Sequence, residues 1–333
     1  MSTTATTQLP DEVVWEVTNG AVSARALHVV AELGVADLIG DEPVAAHDLA
    51  RHIGARPEAL ERLLDLLGAN GIFRRDDGGY AHTESSRLLR TDHPRSMRAF
   101  ARMMGLPVIW NSFGALDHTV RTGAPALGAI DPRGLWSYLG AHPDEARIFD
   151  DAMVAKSRGD VAAVVDAYDF RPFPRIADIG GGRGQLLRAA LEAAPAARGV
   201  LFELPGVIQA LPPASGRLAH HAGDFFVDPL PSADAYVLME VIHDWGDADA
   251  LAILRAIRQA ASPGAVVLII EGIVPDSDPD ARVQTLDVIM LTITGGRERS
   301  AAQLRALFHE AGFRLTTVIP TAGPMQIVEA VAI

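Results

Sequence analysis

Ten residues near the middle of the chain, I-A-D-I-G-G-G-R-G-Q from Ile176 to Gln185, constrain its fold most strongly. A short apolar run ends beside an acid, glycines follow at alternate positions, and L-L-R-A-A-L-E-A-A continues with helical spacing. This order predicts a strand, a tight turn and the start of a helix. Glycine allows backbone angles that other residues avoid and lets a ligand approach the main chain, so the turn is predicted to bind a cofactor.

The spacing of the glycines indicates which cofactor to expect. Dinucleotide-binding turns have the pattern G-x-G-x-x-G and hold a pyrophosphate at the helix N-terminus. Here Gly180, Gly182 and Gly184 give G-x-G-x-G, and Asp178 before them would repel a diphosphate but accept a hydrogen bond from an ammonium group. The predicted ligand is a nucleoside that carries an amino acid, which describes S-adenosylmethionine. A purely structural loop is the alternative interpretation.

Composition limits the chemistry and the partners. The 333 residues suffice for two domains, and the absence of cysteine excludes disulfides and thiolate catalysis. A zinc site would need His and carboxylate ligands alone, and no metal is expected. The net charge of -13 disfavours nucleic acid as a partner. The most apolar run, Ala265 to Val274, is too short to span a membrane, and residues 1–10 are predicted to be a disordered lead rather than a secretory signal. We therefore predict a cytoplasmic protein with no membrane contact.

Residues 11–95 are predicted to form a winged-helix domain. Helical spacing covers residues 11–39, two shorter helices end at Gly54 and Gly71, and the D-D-G-G turn that follows predicts a hairpin. Residues 1–100 carry 15 acidic and 10 basic side chains, a net charge of -5. Because phosphate contacts dominate DNA affinity, the domain is expected to serve packing or dimerisation rather than DNA binding.

Residues 96–170 are predicted to be a helical connector that contributes to a substrate pocket. The segments concentrate large flexible or aromatic side chains, among them Trp136 and Met153. Core packing accounts for most of these side chains, and a minority are expected to line a pocket for a flat, apolar substrate.

From residue 171 to 333, strand-like runs alternate with helical segments and a final antiparallel pair. This pattern predicts an α/β fold with a mostly parallel sheet and a ligand at the carboxyl ends of its strands. Glu203 ends the second strand, and its carboxylate is expected to accept hydrogen bonds from ribose hydroxyls. The third strand leads to G-D-F-F, where Asp224 is expected to face the adenine amino group and Phe225 to pack on the base.

Three further polar residues are expected at the same edge of the sheet. His243 follows the fourth strand, Glu271 ends the fifth, and Glu298 precedes the final helix. An imidazole oriented by two carboxylates is typical of a general base. A phenol of pKa about 10 matches a histidine of pKa about 6.5 better than an alkyl alcohol does, which favours a phenolic or enolic acceptor.

The motifs D-I-G-G-G-R-G, F-E-L-P-G-V-I, G-D-F-F, H-D-W and G-G-R-E-R-S, in this order and spacing, resemble those of a known family. It comprises the small-molecule O-methyltransferases of the plant caffeate and hydroxyindole type and their bacterial antibiotic-pathway relatives. The resemblance covers nearly the whole chain. It implies a Rossmann-like class I methyltransferase sheet, a homodimer formed through the N-terminal winged-helix domain, and S-adenosylmethionine as the methyl donor, with S-adenosylhomocysteine as product.

The resemblance also implies roles for individual residues. His243 would be the general base, with Glu271 and Glu298 beside it. Predicted cofactor contacts are Ser157, Asp178, Gly180, Gly182, Gly184, Glu203, Leu204, Gly223, Asp224, Phe225 and Met239. Predicted substrate contacts are Trp136, Met153, Asp244 and Met290. Two positions depart from the family pattern: Glu203 stands where Asp is more frequent, and Met239 stands where many plant members have a lysine.

The predicted function is methylation of a phenolic or enolic hydroxyl on an aromatic or polyketide-type small molecule, in antibiotic-like secondary metabolism. One alternative is a hydroxylation, decarboxylation or pericyclic step on the same scaffold with S-adenosylmethionine bound. A winged-helix DNA-binding regulator is a second alternative, which the acidic charge disfavours.

Overall fold

A computed structural model of the protein describes residues 9–333, which divide after Leu106 into two units. The first unit has the order of the predicted winged helix. Its elements are α1 (Pro10–Glu32), α2 (Ala46–Ile53), α3 (Pro57–Ala69), the hairpin of β1 (Phe73–Asp76) and β2 (Gly79–His82), α4 (Glu84–Arg87) and α5 (Arg98–Met104).

The core of the first unit comes from one face each of α1, α2, α3 and the hairpin. Leu49, Leu64 and Phe73 are fully buried there, at 2 % exposure or less. Pro57 begins α3 at a position where a missing N–H costs nothing, and Gly54 ends α2 in the left-handed conformation. The local signals in the sequence thus account for both helix boundaries.

The first unit extends beyond residue 95, where the sequence analysis ended the winged-helix domain. Arg98 donates a hydrogen bond of 2.8 Å to the carbonyl oxygen of Ala31, and Arg102 pairs with Glu32 at 2.7 Å. These contacts attach α5 to the C-terminal end of α1. Hydrophobic periodicity does not report contacts between segments so far apart, so the sequence alone does not assign α5 to this unit.

The predicted disordered lead covers residues 1–10. Residues 1–8 lie outside the described residues, whereas Pro10 already belongs to α1. A proline at the first helical position, followed by Asp11 and Glu12 in the first turn, favours a helix start at this point.

The second unit begins with four helices and continues into a seven-stranded sheet with further helices. The helices that come first are α6 (Pro107–Gly114), α7 (Leu116–Thr122), α8 (Gly134–Ala141) and α9 (Pro143–Ala167). The strands are β3 (Arg175–Ile179), β4 (Arg198–Glu203), β5 (Leu218–Ala222), β6 (Ala235–Met239), β7 (Val266–Glu271), β8 (Phe313–Pro320) and β9 (Gln326–Ala332). The helices between them are α10 (Gln185–Ala193), α11 (Pro205–Ala210), α12 (Asp247–Ala260), α13 (Ala281–Ile293) and α14 (Ala301–Glu310).

The strand order of the sheet is β5-β4-β3-β6-β7-β9-β8. The first five strands in this order are parallel, whereas β9 runs antiparallel to both β7 and β8. The predicted class I methyltransferase sheet with a final antiparallel pair is therefore confirmed. The chain moves outward from β3 to β5 and then returns to β6, so the order reverses between β3 and β6. Ligands of such sheets bind at this reversal, beyond the carboxyl ends of the strands.

Helices cover both faces of the sheet, as the apolar strands require. Ile176 of β3 packs in one buried cluster with Leu187 of α10, whereas its neighbour Ala177 packs in a second cluster with Ile253 of α12. Each residue of β7 is buried. The central strands thus form an apolar layer, and the acids Asp178, Glu203 and Glu271 lie at or near their carboxyl ends.

Candidate active site

The glycine turn has the predicted strand, turn and helix geometry. β3 ends at Ile179, α10 begins at Gln185, and Gly184 is the N-cap of that helix. Gly180, Gly182 and Gly184 have φ values of 68°, 57° and 73°, a region that residues with a side chain rarely adopt. The turn therefore exposes main-chain groups at the carboxyl edge of the sheet.

Asp178 lies directly beneath this turn. A Cβ atom on Gly181 would lie 2.3 Å from the Asp178 carboxyl group, and the side chain is buried. Neither carboxyl oxygen has a hydrogen-bond partner among residues 9–333. Burial, together with the negative charge of Glu203, raises the pKa of Asp178 to about 7.

Glu203 is the last residue of β4, and its side chain reaches the same turn. One carboxyl oxygen accepts a hydrogen bond of 3.1 Å from the Gly182 N–H, and the other accepts one of 2.5 Å from the Leu204 N–H. Burial raises the pKa of Glu203 to about 7, although these two bonds act in the opposite direction. The longer side chain of glutamate thus reaches the glycine turn, at the strand end where a ribose contact was predicted.

The G-D-F-F segment lies beside the turn as well. The Gly223 N–H donates to the carbonyl oxygen of Glu203 at 2.9 Å, and the Asp224 carboxylate accepts from the Phe226 N–H at 2.9 Å. The Phe225 ring is 3.8 Å from the position of a Cβ on Gly180. An aromatic face and a carboxylate therefore border the turn, on the side of the third parallel strand.

Helix α9 is attached to the other side of the turn. The Ser157 hydroxyl donates to the side-chain oxygen of Gln185 at 2.8 Å, and Arg183 of the turn pairs with Asp151 at 2.7 Å. Gln185 and Arg183 were not among the predicted site residues. Both lie in the glycine motif, and only the tertiary contact with α9 gives them a role.

His243, Glu271 and Glu298 come together as predicted. The imidazole Nδ1 is 2.7 Å from a carboxyl oxygen of Glu298, and the backbone N–H of His243 donates to Glu271 at 2.9 Å. Nε2 is 3.9 Å from the carboxylate of Asp244. Because a carboxylate only accepts, Nδ1 carries the proton toward Glu298, and Nε2 is the atom that is available to a substrate.

The electrostatic surroundings of His243 favour its protonated form. Burial lowers the pKa of His243, but the hydrogen bond that Nδ1 donates to Glu298 and the charges of Asp244 and Glu271 raise it by more, and the net result is a pKa of about 10. Burial also raises the pKa of Asp244, to about 7. The imidazole is therefore a stronger base than the unperturbed histidine assumed from the sequence.

Backbone contacts hold His243 in place. The Arg297 N–H donates to the His243 carbonyl oxygen at 2.8 Å, and a Cβ on Gly296 would lie 2.0 Å from that same oxygen. Arg299, which is 1 % exposed, donates to the carbonyl oxygens of Ile242 at 3.0 Å and Trp245 at 2.7 Å. These residues belong to the G-G-R-E-R-S motif, of which the sequence analysis selected only the glutamate.

Rings surround the segment that follows His243. Trp136 stacks on Trp245 with ring centroids 6.5 Å apart, and Phe149 meets Trp136 edge to face at 5.9 Å. Phe226 meets Trp245 edge to face, with ring centroids 4.7 Å apart. This cluster, with Trp245 of the H-D-W motif at its centre, gives the second unit an aromatic wall.

The remaining predicted contacts are less closely defined by the geometry. Met153 and Met290 lie on α9 and α13, half-buried and buried respectively. Met239 ends β6 and packs against the cluster that contains α10. Their contacts with cofactor or substrate stay predictions.

Two negative findings apply to residues 9–333. No helix in this range is both long and apolar enough to cross a membrane. Likewise, this range contains no group of three or more His, Asp or Glu side chains arranged to hold a metal ion.

Comparison with known proteins identifies the family. The family model for an O-methyltransferase domain matches residues 113–314, and that for an O-methyltransferase dimerisation domain matches residues 15–92. A phenazine O-methyltransferase of Lysobacter antibioticus is 36% identical over 328 residues, which cover 96% of this chain and 95% of that protein. A mitomycin biosynthesis 6-O-methyltransferase of Streptomyces lavendulae is 36% identical over 337 residues, with 98% and 96% covered.

Solved structures agree with this assignment. Human N-acetylserotonin methyltransferase in complex with SAM has a TM-score of 0.90 at 26% identity, covering 99% of both chains. An O-methyltransferase from neocarzinostatin biosynthesis, in complex with S-adenosylmethionine and 2-hydroxy-5-methyl naphthoic acid, has a TM-score of 0.81 at 34% identity, covering 100% of this chain and 99% of that one.

The chain therefore belongs to the O-methyltransferase family with an N-terminal dimerisation domain. It is an S-adenosylmethionine-dependent O-methyltransferase of the secondary-metabolite type. The family and the enzyme class predicted from the sequence are both confirmed.

The contact between Gly296 and His243 predicts the effect of a single methyl group. Gly296→Ala should displace the His243 backbone, because the new Cβ has no room, and a misplacement of about 1 Å can lower turnover by about 10². Turnover and S-adenosylhomocysteine affinity, the latter by calorimetry, measure the effect. The control is Gly159→Ala, where a Cβ meets nothing within 4 Å. Equal turnover in the two variants would contradict the prediction.

The raised pKa of His243 predicts a pH dependence of stability. Its proton is bound more tightly in the folded chain, with pKa about 10, than in the unfolded chain, with pKa about 6.5. The stabilisation is therefore complete below pH about 6.5 and is lost as the pH rises through about 10. The excess unfolding free energy of the wild type over His243→Gln should shrink between these pH values in urea titrations. An excess that does not change with pH would contradict the raised pKa.

Proposed function

We propose that the protein methylates a phenolic or enolic hydroxyl of an aromatic or polyketide-type small molecule, with His243 as the general base. The observation that carries this proposal is the buried imidazole itself. Glu298 holds Nδ1 at 2.7 Å, which leaves Nε2 as the proton acceptor. Glu271 fixes the backbone of His243 at 2.9 Å, so the ring and the main chain are both oriented.

The basicity of His243 supports a phenolic acceptor. Proton transfer from a phenol of pKa about 10 to a histidine of pKa about 6.5 is uphill by about 4.8 kcal/mol. With a pKa of about 10, the neutral imidazole of His243 matches a phenol in basicity, but the imidazolium that predominates at neutral pH must first lose its Nε2 proton. Proton transfer from an alkyl alcohol, whose pKa lies near that of water, would still be strongly uphill.

The residues around the glycine turn fit S-adenosylmethionine. Asp178 and Glu203 are buried acids with raised pKa values, and both oxygens of Asp178 lack a partner among residues 9–333. Burying a carboxylate without a countercharge is costly, so a ligand with positive charges would stabilise both. We propose that these acids bind the cofactor together with main-chain groups of the turn, Ser157, Leu204, Asp224 and Phe225.

When bound, S-adenosylmethionine supplies a methyl group activated by a positive sulfur. Nε2 of His243 removes the acceptor's proton as the hydroxyl oxygen forms its bond to the methyl carbon, and the sulfur keeps the electron pair of the broken bond. The other residues of this chain align the acceptor, an effect worth up to roughly 7 to 11 kcal/mol in well-oriented reactions. We propose that Trp136, Met153, Asp244 and Met290 contact the acceptor ring.

We also propose a homodimer formed through α1. The first half of this helix exposes Val14 by 66%, Trp15 by 71% and Val17 by 79%, whereas the buried residues of α1 all lie at or beyond Ala26. An apolar surface of this kind marks a protein contact, and it lies where the dimerisation-domain match begins, at residue 15.

A role in DNA binding is not supported by the first unit. The groove beside its hairpin is lined by five carboxylates but by a single arginine, Arg75. The carboxylates belong to Glu42, Glu58, Glu61, Asp76 and Asp77. Arg75 pairs with Glu61 at 2.7 Å and with Asp65 at 2.8 Å, so its charge is already engaged. Such a surface repels phosphate. We keep the prediction of a cytoplasmic enzyme without a nucleic-acid partner.

His243→Ala should lower turnover by two or more decades, because general-base catalysis contributes about 10² to 10⁴ in rate. Affinity for S-adenosylhomocysteine should change little. The assay is formation of S-adenosylhomocysteine and methylated product with a panel of hydroxylated naphthoates and phenazines. Unchanged turnover would contradict the assignment of His243 as the general base. A product formed without an equal amount of S-adenosylhomocysteine would favour the non-methylating alternative.

Charged residues on α1 should separate the dimer. Trp15→Asp combined with Val17→Asp should shift the mass measured by light scattering from twice the chain mass to 35.4 kDa. Val227→Asp serves as the control, because Val227 is equally exposed, at 79%, but lies outside α1. A wild-type protein that is already monomeric, or a double variant that still dimerises, would exclude this interface.

A further inference from the structure

A buried ion pair connects α9 to the segment that carries His243. Lys156, the single lysine of the chain, pairs with Glu240, which follows β6 directly. The side chains are only 14% and 11% exposed. Removal of one partner from such a buried ion pair is strongly destabilising, because the other charge stays buried and uncompensated. This pair has no part in the chemistry proposed above.

Glu240 also has an unusual backbone conformation. With φ of 54°, it is the one residue other than glycine that has a positive φ among residues 9–333. Its N–H donates to the carbonyl oxygen of Ile270 at 3.0 Å, so the strained residue is still held by the neighbouring strand. Strain of this kind persists only where surrounding contacts impose it. Here it turns the chain from β6 into the short 3-10 helix Ile242–Asp244, which contains His243.

The charges that face His243 come from several elements. Glu298 precedes α14, Glu271 ends β7, and Asp244 lies next to the imidazole. Glu240 adds a fourth carboxylate, which interacts electrostatically with His243. The cations near this group are Lys156 on α9, Arg282 on α13 and Arg299, whose guanidinium is bonded to Asp247 at 2.8 Å. Asp160 is a further acid near Lys156 and Glu240.

Lys156 is thus the cation in direct contact with Glu240, which is one of four carboxylates that interact with His243. Burial raises the pKa of Glu240, but the charges of Lys156, His243 and Arg282 lower it further, so Glu240 is ionised. Without Lys156, only Arg282 would remain to oppose the effect of the Glu240 charge on His243. Without the charge of Glu240, the positive charge of Lys156 would act on His243 instead.

We propose that Lys156 is a positioning residue for His243, which it affects through Glu240 by holding the strained turn and by cancelling one carboxylate charge beside the imidazole. The proposal rests on the function proposed above, since it concerns the same base. It assigns no contact between Lys156 and the acceptor. Lys156 lies on α9, one helical turn from Met153. It thereby connects the helix that carries predicted substrate and cofactor contacts to His243, the proposed proton acceptor.

The test is the titration of His243 in the protein without acceptor, followed by NMR with labelled histidine. His243→Gln assigns the signal among the 11 histidines. Lys156→Met should move the His243 midpoint to higher pH by about one unit or more, and Glu240→Gln should move it to lower pH by a similar amount. The double variant should titrate close to the wild type, and Lys156→Arg should restore the wild-type midpoint. Arg171→Met is the control: Arg171 forms an exposed ion pair with Asp169, and its replacement should leave the His243 midpoint unchanged.

Opposite shifts in the two single variants would support the proposal, because a purely structural defect does not change sign with the charge removed. Midpoints that stay at the wild-type value in both variants would overturn it. If Lys156→Met does not fold, the other two variants provide the test. The midpoint of His243 must move to lower pH in Glu240→Gln and return to the wild-type value in the double variant. Turnover of His243→Ala is measured separately, so failure of the base assignment and failure of this inference remain distinguishable.

Discussion

The proposed active site depends on one buried contact, the 2.7 Å hydrogen bond between His243 and Glu298. Taking an imidazole and a carboxylate out of water costs several kcal/mol, and their attraction offsets this cost only when the geometry is good. The protein meets that condition with main-chain groups. The Glu298 N–H is held by Asp287 at 2.7 Å, and Arg299 fixes the carbonyl oxygens on either side of His243. Contacts with neighbouring segments therefore fix both residues of the pair in position.

The rigid sheet makes this arrangement possible. Because β3, β4, β6 and β7 are parallel, the residues that follow them emerge at one edge, where Asp178, Glu203, His243 and Glu271 are found. Three of these four acids or bases have raised pKa values that come first from burial. Buried charge is thus concentrated at the carboxyl edge, and apolar side chains fill the two layers behind it.

The sequence predicted the parts of this site that local patterns determine. Apolar runs ending in Glu203, in Glu271 and just before His243 mark strand ends, and parallel strands bring their ends together. The glycine spacing likewise predicts the turn. What the sequence did not reveal depends on contacts between distant segments. Lys156 and Glu240 are 84 positions apart, and no periodicity connects them. The close approach of Gly296 to His243, and the position of Asp178 beneath the turn, are equally invisible before the chain is folded.

The single lysine has a consequence for the chemical durability of the enzyme. The chain contains no thiol, and its one ε-amino group is shielded in an ion pair. Quinones and other electrophilic aromatic compounds inactivate proteins chiefly by adding to thiolates and free amines. A chain without thiols and with one buried lysine therefore offers such compounds only its histidines and its terminal amine as sites of addition.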